Sequence, residues 1–308
     1  MNNFAEALKG SRVLVTGGSG FLGTHLLKKL RELGVGEIIN LHRGNKPTYE
    51  AAGVSDAVCD LSQPESMNIV RDLGAVDYVF NLAGLSNQRM PHPNPQELWD
   101  GNVITLIHLT SGLNWDGVKG AVHIGTTAEY GNQEVPFRED QCLKPTNAYG
   151  WSKAAATQYA MMMTQGGYAR WRVVRQFTGY GPGQTTGFIF DVVRALKQGA
   201  TFTVNAPEVT RDFIFVADTI EGLIRLAICK EVTGEIVNLC RGEEMPIGKV
   251  AKMIYAIMQT GGIEFGHKNS RAGDFLRSFG DAKKLERLLG WKPAITLEEG
   301  LRLTIPTI

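Results

Sequence analysis

Val13-Leu14-Val15-Thr16-Gly17-Gly18-Ser19-Gly20-Phe21-Leu22-Gly23 is the stretch that decides the fold of this chain. A short apolar run enters a glycine-rich turn, and Phe21, Leu22, Leu26, Leu27, Leu30 and Leu33 then recur at helical spacing up to Gly34, a natural helix stop. At a strand-to-helix turn of this kind, backbone N–H groups and the helix N-terminus hold the pyrophosphate of a dinucleotide. Gly17 and Gly20 keep Cβ atoms away from the phosphates, Gly23 lets the helix lie close to the sheet, and Phe21 and Leu22 open the helix at the same site.

The pattern continues outward from that turn. Residues 37–41 read as a second strand, Ala57-Val58-Cys59 as a third, residues 67–73 as a helix and residues 76–80 as a fourth apolar run. Ala121-Val122-His123-Ile124 and Trp171-Arg172-Val173-Val174 follow as buried strands, with helices ahead of them at 103–113 and 148–163. Strands alternating with helices predict an α/β protein with a doubly wound parallel sheet. Beyond Gln176 the rhythm loosens at Gly179-Tyr180-Gly181-Pro182-Gly183. The expected division is a dinucleotide-binding domain over 1–178 plus 212–240 and a smaller, interleaved C-terminal substrate lobe over 179–211 plus 241–308.

With 308 residues, 43% of them hydrophobic, the chain is long enough to bury a substantial core. Its net charge of +1 leaves no electrostatic footprint for nucleic acid or an anionic membrane. No uninterrupted apolar run reaches spanning length and the first residues lack the apolar core of a signal peptide, so the cytoplasm is the expected location. Cys59, Cys142, Cys229 and Cys240 lie far apart and the six histidines are scattered, a pattern that predicts reduced cysteines and no metal.

An NAD site normally places an acid about 20 residues beyond the turn, at the end of the second strand, for the ribose hydroxyls. This chain has Asn40-Leu41-His42-Arg43 there. The missing carboxylate and the presence of Arg43, with His42 beside it, favour NADP(H), with NAD(H) as the alternative. Asp60 and Leu61, after the third strand, are placed to flank the adenine.

Tyr149 and Lys153 are four residues apart, so a helix puts both on one face. A phenol with a solution pKa near ~10 is a poor donor at neutral pH, and a neighbouring cation lowers it toward the working range. The pair suits proton transfer coupled to hydride transfer at a carbon bearing oxygen.

The glycine turn, Asn81-Leu82-Ala83-Gly84, Asn102-Val103, Thr126-Thr127-Ala128-Glu129-Tyr130-Gly131, Tyr149-Gly150-Trp151-Ser152-Lys153, Arg175-Gln176-Phe177-Thr178-Gly179-Tyr180-Gly181-Pro182, Arg211-Asp212-Phe213 and Leu289-Gly290-Trp291-Lys292-Pro293 appear in that order. Together they resemble the extended short-chain dehydrogenase/reductase family, the nucleotide-sugar epimerases, dehydratases and reductases. The resemblance implies a Rossmann fold, a catalytic triad of Thr126, Tyr149 and Lys153, cofactor contacts at Leu82, Ala83 and Gly84, and a structural role for Asn102. It also implies a homodimer built on the helices bearing Asn102 and Tyr149. The spacing of Leu106, Leu109 and Leu113, and of Ala156, Ala160 and Met163, fits such a contact and fits an intramolecular core equally well.

Within that family, the dehydratases carry an acidic pair directly after the catalytic threonine, where this chain has Thr127 and Ala128. Glu129 lies one residue further on, and alternation along an extended segment aims it away from the side occupied by Ala128. Dehydration and decarboxylation are therefore disfavoured. Residues 181–188 and 280–293 look most like GDP-6-deoxy-D-mannose reductases and their relatives, which implies NADPH-dependent reduction of a 4-keto nucleotide-diphosphate sugar. The alternatives are an NAD-dependent 4-epimerase and a non-catalytic dinucleotide-binding regulator. Substrate contacts are expected at Ser86, Asn87, Thr127, Arg211, Arg271 and Asp274, the arginines being suited to a diphosphate. Thr178 stands where the family usually has a substrate-contacting asparagine.

Overall fold

A short helix, α1 (Asn3–Leu8), leads into β1 (Arg12–Thr16), and the glycine turn joins β1 to α2 (Phe21–Glu32). Leu26, Leu27 and Leu30 form the buried stripe of α2, as their spacing predicts. The chain continues through β2 (Glu37–His42), β3 (Val54–Val58), α3 (Ser66–Asp72), β4 (Tyr78–Asn81), α4 (Pro95–Trp99), α5 (Thr105–Gly112), β5 (Gly120–Thr126), α6 (Ala148–Gln165) and β6 (Trp171–Gln176). The computed structural model describes residues 3–44, 53–86, 94–266 and 276–308.

The remaining elements are β7 (Thr178–Tyr180), α7 (Phe188–Lys197), β8 (Thr201–Asn205), β9 (Thr210–Arg211), β10 (Phe213–Phe215), α8 (Val216–Ile228), β11 (Ile236–Leu239), β12 (Met245–Pro246), α9 (Ile247–Met258), β13 (Gly262–Gly266), α10 (Lys283–Leu289) and α11 (Leu297–Thr304). Two units divide the chain. The first comprises Met1–Glu129, Pro145–Arg175 and Ile220–Val237; the second comprises Tyr130–Lys144, Gln176–Thr219 and Asn238–Ile308.

A seven-stranded sheet in the order β11-β6-β5-β4-β1-β2-β3 forms the centre of the fold. The pairs β1–β2, β2–β3, β1–β4 and β4–β5 are parallel, and the architecture is Rossmann-like. The chain winds one way through β2 and β3, then crosses back past β1 to β4 and β5. Strand order therefore reverses between β1 and β4, and open α/β sheets bind ligands outside the carboxyl ends of the strands at such a reversal. Register places Thr16 beside Asn81 and Asn81 beside His123, a polar row across the sheet just below those ends.

Leu14, Val79, Ala121 and Val173 from the strands pack with Leu106, Leu109, Ala156 and Ala160 from α5 and α6. The helical stripes are thus spent on an intramolecular core. The large apolar side chains left exposed on α6 are others, Trp151 at 60% and Met162 at 57%. The helix expected over 103–113 begins earlier and is not uniform: a π-turn over Asp100–Ile104 separates α4 from α5. Such widened turns re-aim side chains, and this one carries Asn102.

In the second unit β7 pairs with β10 and β8 with β13, both parallel, while β9 pairs with β12 antiparallel. Asp212 staples it from within, accepting from the backbone N–H of Arg241 at 3.0 Å and of Gly242 at 2.9 Å. Burial pushes that carboxyl up to about 6, against the downward pull of those hydrogen bonds. All four cysteines are free thiols. Among the described residues no helix is long and apolar enough to cross a membrane, and no group of three His, Cys, Asp or Glu side chains gathers as a metal site.

Candidate active site

The glycine turn is held in place by backbone contact on two sides. Gly17 adopts φ 72°, and a Cβ there would lie 2.7 Å from the Ala83 nitrogen and the Leu82 carbonyl carbon. A Cβ on Gly23 would meet the Gly17 carbonyl oxygen and lie 2.6 Å from Gly18 Cα. Only glycine satisfies both demands. The hydroxyl of Thr16 donates to Asn81 Oδ1 at 2.6 Å and accepts from the Ala83 N–H at 3.2 Å, tying the turn to the loop after β4. Asn81 Nδ2 is 3.0 Å from His123 Nδ1, and burial holds that imidazole well below the ordinary histidine range. Gly20 caps α2 without a side-chain hydrogen bond, so the first N–H groups of the helix remain available to an anion.

A cleft of about 580 Å³ opens above the strand reversal. Its walls are the turn (Gly17, Ser19, Gly20), the end of β2 (Leu41, His42, Arg43), Cys59, Asp60 and Leu61 after β3, and residues 82–85 after β4. The expected cofactor contacts Gly17, Gly20, His42, Arg43, Asp60, Leu61, Leu82, Ala83 and Gly84 are brought together here. Phe21 and Leu22 are half-buried at the start of α2, and Gly23 is buried behind the turn.

Arg43 is exposed at the cleft, while His42 is packed in place, its Nδ1 accepting from the Gly44 N–H at 3.2 Å and its Nε2 lying 3.7 Å from Asp56. One carboxylate oxygen of Asp60 accepts from the N–H and hydroxyl of Ser62, which fixes the loop under Leu61.

Thr126 ends β5, and Tyr149 and Lys153 lie in the first turns of α6, a helix capped by Asn147 Oδ1 on the Gly150 N–H at 2.8 Å. All three candidate catalytic side chains are buried. The Tyr149 hydroxyl and the Thr126 side chain are hydrogen-bonded to each other. Lys153 Nζ donates to the Ile124 carbonyl, and a Cβ placed on Gly84 would lie 3.9 Å from it. The ammonium therefore sits against the cleft wall made by the loop after β4.

Burial pushes the Tyr149 phenol up to about 12; the hydrogen bond with Thr126 opposes this and the Glu129 carboxylate adds to it. The expected lowering of the phenol by Lys153 is not what the chain shows. Burial instead lowers the amine to about 8, partly offset by Glu129.

Glu129 also departs from its expected position. The segment Thr127–Glu129 is a 3₁₀ turn, so strand alternation does not apply. Its carboxylate is completely buried and engaged on both oxygens: Oε1 accepts from the Thr126 N–H at 2.9 Å and Oε2 pairs with Arg175 Nε at 2.9 Å. Thr127 is half-buried in the same turn.

Asn102, read as structural, is a clamp. It bonds both the N–H and the carbonyl of Leu85, at 2.9 and 3.1 Å, and reaches Ser152 Oγ at 2.9 Å. Sequence reasoning missed the Thr16–Asn81–His123 row and the Glu129–Arg175 pair. A charged residue inside the apolar strand Trp171–Gln176 was the available signal for the latter.

Among the expected substrate contacts, Ser86 is exposed on the loop after β4. Thr178 is half-buried on β7, its N–H donating to the Asp212 carbonyl at 3.0 Å. Arg211 is half-buried on β9 with Nη1 donating to the Thr210 carbonyl at 2.8 Å. Asn87, Arg271 and Asp274 lie outside the described residues.

The sequence pattern of the NAD dependent epimerase/dehydratase family matches residues 13–240, from β1 past the candidate triad to the end of the sheet. The chain belongs to that family. It is an NAD(P)-dependent nucleotide-sugar enzyme of the extended short-chain dehydrogenase/reductase type.

GDP-6-deoxy-D-mannose reductase of Pseudomonas aeruginosa is 28% identical over 94% of this chain and 95% of its own length. The solved structure of MoeE5 in complex with UDP-glucuronic acid and NAD superposes with a TM-score of 0.86 at 28% identity, over 96% of this chain and 98% of that one. UDP-glucose 4-epimerase of Thermus thermophilus in complex with NAD gives 0.84 at 25% identity, over 96% and 98%. Other relatives are named UDP-glucuronate 4-epimerase and UDP-glucuronic acid decarboxylase.

Proposed function

We propose that this enzyme reduces a 4-keto nucleotide-diphosphate sugar with NADPH. The observation that carries this reading is the end of β2 at the cleft, where His42 and the exposed Arg43 stand in place of a ribose-binding acid. An exposed guanidinium there suits a 2′-phosphate, which NADP has and NAD lacks. The dinucleotide, when bound, supplies the hydride to C4.

Tyr149 delivers a proton to the C4 oxygen, Thr126 orients that oxygen through its hydroxyl, and Lys153 at the cleft wall holds the ribose. Leu82, Ala83 and Gly84 line the cofactor, Asp60 and Leu61 flank the adenine, and Ser86, Asn87, Thr127, Thr178, Arg211, Arg271 and Asp274 bind substrate. Dehydration and decarboxylation are disfavoured because Thr127 and Ala128 carry no acid and both oxygens of Glu129 are already engaged. A homodimer belongs to the same proposal, supported by Trp151 and Met162 standing exposed on α6.

A second reading, NAD-dependent 4-epimerisation, is favoured by the relatives and neighbours that bear epimerase names and by the neighbours solved with NAD. Following absorbance at 340 nm with 4-keto-6-deoxy nucleotide sugars separates the two. Stoichiometric NADPH oxidation supports the reductase; product formed from a 4-hydroxy nucleotide sugar without net cofactor consumption overturns it. Tyr149→Phe should lower turnover by roughly 10²–10⁴-fold while leaving dinucleotide affinity in place.

A further inference from the structure

Glu129 is a buried carboxylate that the proposed reaction does not consume. Its carboxylate packs against the end of β5: a Cβ on Gly125 would lie 2.5 Å from Glu129 Oε1, so that position admits glycine alone while the carboxylate stays where it is. Oε1 holds the backbone N–H of Thr126, whose hydroxyl is bonded to Tyr149, and Oε2 is held by Arg175 from β6. A Cβ on Gly150 would lie 2.5 Å from the Ala128 carbonyl oxygen, so the first turn of α6 rests directly on the 3₁₀ turn that carries Glu129.

We propose that Glu129, anchored by Arg175, is a positioning residue for the acid–base pair: it fixes Thr126 against Tyr149 and presents its carboxylate to both Tyr149 and Lys153. This rests on the functional reading above. Among the described residues, the charged and titratable groups facing the pair are Glu129 from the 3₁₀ turn, Arg175 behind it on β6, and His123 from β5. His123 is neutral in its buried site, so Glu129 is the charge that acts on both members. Its effect on the phenol and on the amine is upward in each case, the direction that retains the donor proton until the carbonyl oxygen takes it.

The test reads Lys153 directly, by ¹⁵N NMR of its Nζ across pH in the full chain, alongside the pH dependence of kcat. In the wild type the amine, lowered by burial, is expected to titrate at about 8. Glu129→Gln keeps an acceptor for the Thr126 N–H and removes the charge. Because removing the carboxylate charge beside the buried Arg175 is destabilising, the neutral double variant Glu129→Gln/Arg175→Gln is measured beside it. Arg175→Lys retains a cation against Glu129 and should leave the wild-type midpoint.

In both Gln variants the Lys153 midpoint should fall by roughly one pH unit, and the high-pH limb of kcat should move down with it while KM is little changed. A midpoint that stays put in a folded variant, or a loss of kcat that is uniform across pH, overturns the proposal. The NMR titration needs no turnover. Failure of the wild type to act on any nucleotide sugar would therefore sink the reaction assignment and leave the role of Glu129 to be decided separately.

Discussion

Gly23→Ala is the sharpest probe of the phosphate turn, since it adds one methyl group to a helix that is pressed against backbone. The new Cβ would lie 2.6 Å from Gly18 Cα and 2.8 Å from the Gly18 carbonyl carbon. Carbon–carbon contacts settle at about 3.5–4.0 Å, so α2 must retreat by roughly 1 Å or the turn must open by as much. Overpacking of this kind costs about 1–3 kcal/mol, while Ala in place of Gly in a helix returns about 1 kcal/mol.

The net loss of stability is therefore small, at most about 2 kcal/mol, and Tm should drop by a few degrees. Binding is affected more severely. A phosphate N–H bond at ~2.9 Å that lengthens by ~1 Å is no longer a hydrogen bond. Losing one bond to a charged group, at about 1.5–3 kcal/mol, weakens dinucleotide affinity by roughly 10–100-fold.

Gly34→Ala, at φ 71° with open space around it, is the control: it strains the backbone by about 1–2 kcal/mol and should leave affinity unchanged. Calorimetric titration with NADP and NAD, beside thermal unfolding of both variants, decides the matter. Dinucleotide affinity of Gly23→Ala within about threefold of wild type would refute the argument that close packing of α2 on the turn sets the anion site.

Replacing Arg43 with Glu should shift the NADP-to-NAD affinity ratio by roughly 10–100-fold toward NAD, and an unchanged ratio in binding assays would remove the basis for the cofactor assignment. Thr296 and Glu299 form a capping box on α11, so Thr296→Ala should cost about 1 kcal/mol in denaturant unfolding and leave dinucleotide binding untouched. Asp212 holds its proton up to about 6 when folded, against an ordinary 3.8. Folding therefore favours the protonated form: stability is greatest below the unfolded value, falls as pH rises from about 4 to about 6 by roughly 3 kcal/mol, and is level above that. Thermal unfolding across this range should show that slope in the wild type and lack it in Asp212→Asn.

Much of the first unit was legible because its signals are local. The apolar run before Gly17, the helical spacing of Leu26, Leu27 and Leu30, and the strands of β4, β5 and β6 follow from backbone periodicity and from which side chains avoid water. The contents of the cleft were legible for a similar reason, since the ends of parallel strands converge once the sheet is known to be doubly wound. The Asp100–Ile104 π-turn was not readable, because one extra residue in a helical turn leaves the apolar spacing nearly intact. The orientation of Glu129 was misread because the chain leaves the strand at Thr126 and tightens into a 3₁₀ turn, and no property of Thr127 or Ala128 announces it.

Taken alone, the sequence determined the sheet, the glycine turn at its centre and the pairing of a phenol with an amine one helical turn apart, because each depends on residues near one another along the chain. Tertiary structure decided the electrostatics of that pair. Whether the phenol rises or falls, where the amine points and which carboxylate faces them depend on burial and on partners from β5 and β6 that are tens of residues away. Desolvation acts through the whole surrounding volume, and local spacing carries no record of it.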